Sequence, residues 1–154
     1  MYQDYKDLLS AFQSHGVKYL IVGGFAVIYH SQPRFTKDMD LFIKADPENA
    51  KAAYAALASF GAALAGIRPE DFTDPNSFFR FGQEPKGFDI LPAIPGIDFD
   101  AAWGRRVETV IDTASGLKAN FISSDDLIAA KLASGRPQDI ADVDAIRKAA
   151  ESSR

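Results

Sequence analysis

Gly23-Gly24, Asp38-x-Asp40 and Asp89 are the residues whose types and spacing can do chemistry in this chain. The glycine pair closes the apolar run Val17 to Val22 and opens a helix. Lacking Cβ atoms, the glycines allow a sharp turn and let anionic oxygens approach backbone N–H groups. The helix start behind them offers free N–H groups and a partial positive charge, so the turn suits a triphosphate. Fourteen residues after Gly24, Asp38 and Asp40 enter a second apolar run, Leu41-Phe42-Ile43. Side chains alternate along a strand, so the two carboxylates share one face and Met39, Leu41 and Ile43 take the other. Neighbouring carboxylates repel unless a cation lies between them. Oxygen ligands of this kind suit magnesium, which takes one or two carboxylates plus substrate phosphates. Two ions about 4 Å apart would activate an attacking oxygen and hold the leaving phosphates, and such a pair calls for a third carboxylate. Asp89 is the candidate, an acid between Phe88 and Ile90 in an otherwise apolar strand. Singly, a glycine pair is most often a plain turn and an Asp-x-Asp a solvated strand face. Together and in this order, these residues point to metal-dependent transfer of a nucleotide.

The elements that must position them follow from periodicity. Tyr5, Leu8, Leu9 and Phe12 recur at helical spacing over residues 4 to 15, with Gly16 at the end. Val17 to Val22 reads as a buried strand, Phe25 to His30 as a two-turn helix, and Asp38 to Lys44 as the second strand. Asp46 followed by Pro47 starts a helix that Gly61 ends. Residues 62 to 76 mix a short strand with the loop Arg68 to Asp71. Two hairpins follow, Ser77–Phe81 with Phe88–Leu91 and Val107–Ile111 with Leu117–Phe121, around a helical turn at Asp98 to Trp103. Ser123 with Asp126 is a capping-box pattern opening a helix that Gly135 closes. Pro137 begins the last helix, with Ile140, Val143 and Ile146 on one face. Early alternation and late hairpins imply an α/β (α+β) fold: a mixed, mostly antiparallel sheet of about five strands packed by helices, not a doubly wound parallel sheet. The expected organisation is a single domain over residues 1 to 154, with the helices of residues 124 to 152 as a C-terminal appendage.

Composition agrees with a folded chain and excludes little else. Its 154 residues suit one domain, with 47% apolar and 25% charged residues. The absence of cysteine rules out disulfides and thiolate metal sites and is compatible with a reducing cytoplasm, the expected location. The N-terminus is polar and acidic, unlike a secretory signal. A net charge of -4 and one tight basic pair, Arg105-Arg106, disfavour duplex DNA as a partner.

The pattern resembles the nucleotidyltransferase superfamily of the DNA polymerase beta type, and within it small bacterial nucleotidyltransferases related to abortive-infection and toxin–antitoxin enzymes. The run Gly-Gly-Phe-Ala-Val-Ile-Tyr-His through Arg34, Thr36, Asp38 and Asp40 carries the likeness, as does Lys131 through Arg136, Asp139 and Asp142. The resemblance implies that Asp38, Asp40 and Asp89 ligate Mg2+ (or Mn2+), with Asp89 as a base for the acceptor hydroxyl. Gly23 and Gly24 would contact the NTP triphosphate. It implies an enzyme that moves an NMP onto a protein, a tRNA end or a small molecule, with a cognate toxin or antitoxin as a further partner. The alternative is a weakly catalytic or non-catalytic antitoxin keeping the same fold. A dinucleotide-binding module fits poorly, because Gly-Gly-Phe-Ala lacks the G-x-G-x-x-G spacing.

Arg34 either reaches a phosphate or pairs with Asp38 or Asp40, and Thr36 either orients an aspartate or faces solvent. Lys131, on the apolar side of its helix, either snorkels out or meets an anion, which the resemblance makes the nucleotide. Arg136, Asp139 and Asp142 read as a salt-bridged face orienting the last two helices. His30 reads as packed at a helix end. Tyr29, Phe25, Trp103 and Phe78-Phe79-Phe81 read as core, and Arg80 as part of a solvated face within reach of substrate.

Overall fold

A computed structural model describes residues 1 to 152. Six strands form one sheet: β1 Tyr19–Val22, β2 Met39–Ile43, β3 Phe79–Phe81, β4 Phe88–Leu91, β5 Val107–Asp112 and β6 Leu117–Phe121. Their order is β3-β4-β2-β1-β6-β5. β1 runs antiparallel to β2, as do β3 to β4 and β5 to β6, whereas β2–β4 and β1–β6 are parallel. The sheet is mixed and mostly antiparallel, with one strand more than expected. β1 and β2 lie centrally and are covered on both faces, which explains their nearly continuous apolar sequences.

Six helices surround the sheet: α1 Gln3–Ser14, α2 Gly23–His30, α3 Pro47–Phe60, α4 Phe99–Gly104, α5 Ser124–Ser134 and α6 Pro137–Ser152. α1 packs on α3 through Tyr5, Leu8, Leu9 and Phe12, all fully buried. α2 packs against β1, β2, α5 and α6. The expected caps form. Asp46 accepts the Asn49 N–H at 2.7 Å, Ser123 accepts the Asp126 N–H at 3.1 Å, and Gly61 and Gly135 end their helices in the left-handed region.

Four expectations are corrected. In place of a short strand within residues 62 to 76 there is a 3-10 helix, Pro69–Thr73, which drives Phe72 into the core. Pro69 favours its first turn, and the Asp71 carboxylate accepts the Arg68 N–H at 2.8 Å. Phe78 is 61% exposed, because alternation on edge strand β3 turns Phe79 and Phe81 inward and leaves Phe78 on the side of Arg80. Ile140 is exposed while Val143 and Ile146 are buried. The inward face of α6 is set by Asp139 and Asp142, which rotates Ile140 out. Tyr29 is partly exposed as well, lying flat on Phe121 at 4.3 Å between ring centroids.

Candidate active site

Register alone assembles a row across the sheet. Val22 on β1 pairs with Asp40 on β2, Asp40 with Asp89 on β4, and Asp89 with Arg80 on β3. Cross-strand partners share a face, so Asp40, Asp89 and Arg80 stand side by side. Gly23, next after Val22, begins α2 at the end of that row. A Cβ on Gly23 would overlap the Asp40 carboxylate, and its φ of +64° lies where side chains are strained. A Cβ on Gly24 would overlap the Thr36 hydroxyl. Both glycines are therefore required by the approach of β2 and the segment before it, in addition to any anion. Val22 provides no side-chain cap to α2, so the first-turn N–H groups stay free of one.

Asp38 stands just before β2. The Met39 N–H donates to the Gly87 carbonyl at 3.2 Å, and the buried Tyr5 hydroxyl donates to the same oxygen at 2.7 Å. Burial, reinforced by the charge of Asp38, pushes the Tyr5 hydroxyl up to about 12, so it remains a donor. Gly87 has room for no side chain, since a Cβ there would come within 2.6 Å of an Asp38 carboxylate oxygen.

Asp40 is the most perturbed acid of the site. Burial raises its pKa from 3.8 to about 7, and the adjacent Asp89 and Asp38 add to the effect while Lys131 opposes it. Asp89, 7% exposed, accepts both arms of the Arg80 guanidinium, at 2.9 and 3.2 Å. Among the described residues, Asp38 and Asp40 have no lysine or arginine at ion-pair distance.

The cations of the opposite wall come from α5, the junction between α5 and α6, and the segment before β2. Lys131 lies 3.3 Å from Asp139 and 3.1 Å from Asp142. Arg136 grips Asp139 at 2.8 Å, and Arg34 reaches Asp142 at 3.2 Å. Burial works against the Asp139 charge, but hydrogen bonds from Arg136 and the charge of Lys131 outweigh it and hold this carboxyl below its ordinary value. Arg34 thus pairs with neither Asp38 nor Asp40, and its Nε is buried without a partner. Thr36 directs its hydroxyl at the Asp38 backbone carbonyl, 3.5 Å away, and not at a carboxylate.

One cavity of about 410 Å³ is lined by Gly23, Gly24, Arg34, Thr36, Asp38, Asp40, Asp89 and Lys131, every residue singled out from the sequence. Lys37, Arg80, Arg136, Gln138 and Asp139 line it too. Arg80 read as solvated because its strand neighbours are aromatic. Counting the hairpin back from Gly82 and Gly87 pairs it with Asp89, and that signal was present. Tyr5 carried none, being indistinguishable from the other apolar positions of α1. A smaller, apolar recess of about 150 Å³ opens beside the acids, lined by Leu91, Ile94, Pro95, Leu127 and Ala130. Another hollow, of about 560 Å³, lies along α1 near Asp4, Asp7 and His15, away from the row of acids.

A family model described as "Nucleotidyltransferase of unknown function (DUF6036)" matches residues 4–150. The chain belongs to this family of nucleotidyltransferases. No curated protein matches it. Among solved structures, the nucleotidyltransferase is similar to the lincosamide antibiotic adenylyltransferase LnuA in its lincomycin-bound form, with a TM-score of 0.58 and 16% identity over 96% of each chain. It is also similar to ANT(2")-Ia in complex with adenylyl-2"-tobramycin, with a TM-score of 0.56 and 17% identity over 96% of this chain and 86% of that one. At such identities the likeness is one of fold. It agrees with the mixed sheet and C-terminal helices and leaves no place for a doubly wound dinucleotide module. No helix among the described residues is long and apolar enough to cross a membrane.

Proposed function

We propose that this nucleotidyltransferase is active, metal-dependent, and moves an NMP from an NTP to a hydroxyl acceptor with pyrophosphate as leaving group. The observation that carries the reading is the convergence of Asp38, Asp40 and Asp89 with the open start of α2 and Lys131 around one cavity. The donor set fits a divalent cation. Two of its three carboxylates lack any basic partner, and Asp40 is pushed up to about 7 by burial and its acidic neighbours, a repulsion that a cation would relieve. Among the described residues no three acidic, histidine or cysteine side chains stand close enough to hold a metal ion as they are, and both Asp89 oxygens face Arg80. Asp38, Asp40 and Asp89 would hold magnesium or manganese, which when bound supplies Lewis acidity at the phosphates.

The roles of the chain's own groups follow. The first N–H groups of α2 and the Arg34 and Lys131 side chains hold the phosphates. Asp89 accepts the proton of the acceptor hydroxyl. The freed oxygen bonds to the α-phosphorus as the bond to the pyrophosphate oxygen breaks, leaving NMP on the acceptor. ATP is the first nucleotide to test, since one structural neighbour is named an adenylyltransferase and the other holds an adenylylated tobramycin. Their named ligands, lincomycin and a tobramycin adduct, favour a small hydroxylated acceptor over a protein or tRNA end. The test incubates the protein with each labelled NTP, magnesium or manganese, and cell extract as acceptor, beside Asp38→Ala and Asp40→Ala. Transfer that is lost in both variants supports the reading. Transfer from none of the nucleotides with either metal would sink it.

A further inference from the structure

Resting on that reading, we propose that Arg80 is the acceptor-recognition residue, and that the acceptor bears a negative charge, carboxylate or phosphate ester, beside its reacting hydroxyl. The row across the sheet fixes the directions. The triphosphate side is β1 and the start of α2, where Gly23, Gly24, Arg34 and Lys131 gather. Arg80 is on β3 at the opposite edge, three strand positions away in the order β3-β4-β2-β1. At roughly 4.8 Å per strand the two backbones stand about 14 Å apart, so Arg80 and the start of α2 enter the cavity from opposite sides. Between them stand Asp40 and Asp89, so Arg80 borders the side from which an acceptor reaches the base.

The hydrogen bonds and ion pair of the Arg80 guanidinium all go to Asp89, and its side chain is 62% exposed. Turnover requires the Asp89 oxygens for the cation and for the acceptor proton. Arg80 must then release them, and a positively charged fork facing newly bound cations needs an anion. A guanidinium matches planar carboxylates and phosphates with two parallel hydrogen bonds. Lys37, on the same cavity, is 63% exposed and paired at 3.7 Å with the equally exposed Glu84 of the β3–β4 turn, so a second solvent-accessible cation stands on the acceptor side. Glycerate and glycerol 2-phosphate, which both place a hydroxyl beside an anion, are the smallest probes of this chemistry.

Calorimetry tests the proposal without turnover. Wild-type protein is first loaded with magnesium and α,β-methylene-ATP. Failure to load counts against the nucleotide reading, on which Arg80's role depends. Glycerate, glycerol 2-phosphate, neutral glycerol and cationic glucosamine are then titrated into the loaded protein. Either anion binds at least tenfold more tightly than glycerol, glucosamine binds no better than glycerol, and the two anions together tell carboxylate from phosphate preference. Arg80→Ala loses the anion advantage, and Arg80→Lys keeps part of it because the charge remains without the fork. Anions that bind no tighter than glycerol, or equally well to wild type and Arg80→Ala, would overturn the proposal. Arg80 would then be only a cap on Asp89.

Discussion

Replacing Asp40 by asparagine should stabilise this protein while destroying its activity. The Asp40 carboxyl has an ordinary pKa of 3.8, raised to about 7 in the fold first by burial and then by Asp89 and Asp38. The bound proton therefore stabilises the folded state fully below pH 4, and this contribution is lost as pH rises through about 7. Raising this carboxyl from 3.8 to about 7 corresponds to at most roughly 4 kcal/mol. At pH 8 the wild type carries the buried charge and the D40N variant does not. For a domain of this size the difference is a melting temperature higher by roughly 10 °C in the variant, measured in EDTA. At pH 4 the two proteins melt together, since the protonated acid and the amide are near-isosteres. Groups titrating alike in both proteins cancel in the comparison. Added magnesium raises the wild-type melting temperature at pH 8 and leaves the variant unmoved, and labelled NMP transfer falls at least a hundredfold. A variant melting at or below wild type at pH 8 in EDTA would refute the electrostatic account of the site.

Three further perturbations probe separate parts. Gly23→Ala forces a side chain into the Asp40 carboxylate at a φ of +64°, so urea unfolding should show a loss of at least about 2 kcal/mol, with transfer abolished. Tyr5→Phe removes the donor to the Gly87 carbonyl and should cost about 1 to 2 kcal/mol by the same assay. It should also lower kcat with KM for NTP nearly unchanged, because Gly87 backs Asp38 and not the phosphate side. Lys131→Met leaves Arg136 on Asp139 and Arg34 on Asp142, so a folded protein is expected by circular dichroism. Its affinity for NTP should fall at least tenfold by calorimetry, and unchanged affinity would make Lys131 a purely structural tie between α5 and α6.

Legibility in the sequence followed the range of the interaction. Gly23, Gly24, Asp38 and Asp40 were readable because each sits at a strand end whose apolar pattern is local, and Asp89 because an acid within Phe-Asp-Ile-Leu breaks that pattern. The caps at Asp46, Gly61, Ser123 and Gly135 were readable for the same reason. The partners of charged groups were not. Arg34 lies four residues before Asp38 yet pairs with Asp142, 108 positions away, because α6 brings Asp142 inward against α2. Ile140 misled because helical periodicity alone does not reveal that Asp139 and Asp142, and not the next isoleucine, face the interior. Residues 62 to 76 were illegible because their order comes from one anchored aromatic, Phe72, and from side-chain caps on a 3-10 turn.

The buried acids divide by where their cations come from. Asp89 has Arg80, Asp126 has Arg105, Asp139 has Arg136 and Lys131, and Asp142 has Arg34 and Lys131. Each is a carboxylate whose counter-charge the chain itself supplies, as a buried charge requires. Asp40, in the middle of the row and half-buried, has none, and the fold responds by raising its pKa toward neutrality. For a purely structural role an amide would keep the shape without the cost of the charge. An aspartate there, opposite a glycine that makes room for it, fits the proposed reading, in which the counter-ion arrives with the substrate. Asp89 then stands at the boundary between the two groups. On the proposed reading, Arg80, exposed and paired among the described residues with Asp89 alone, frees Asp89 for chemistry when it finds another anion.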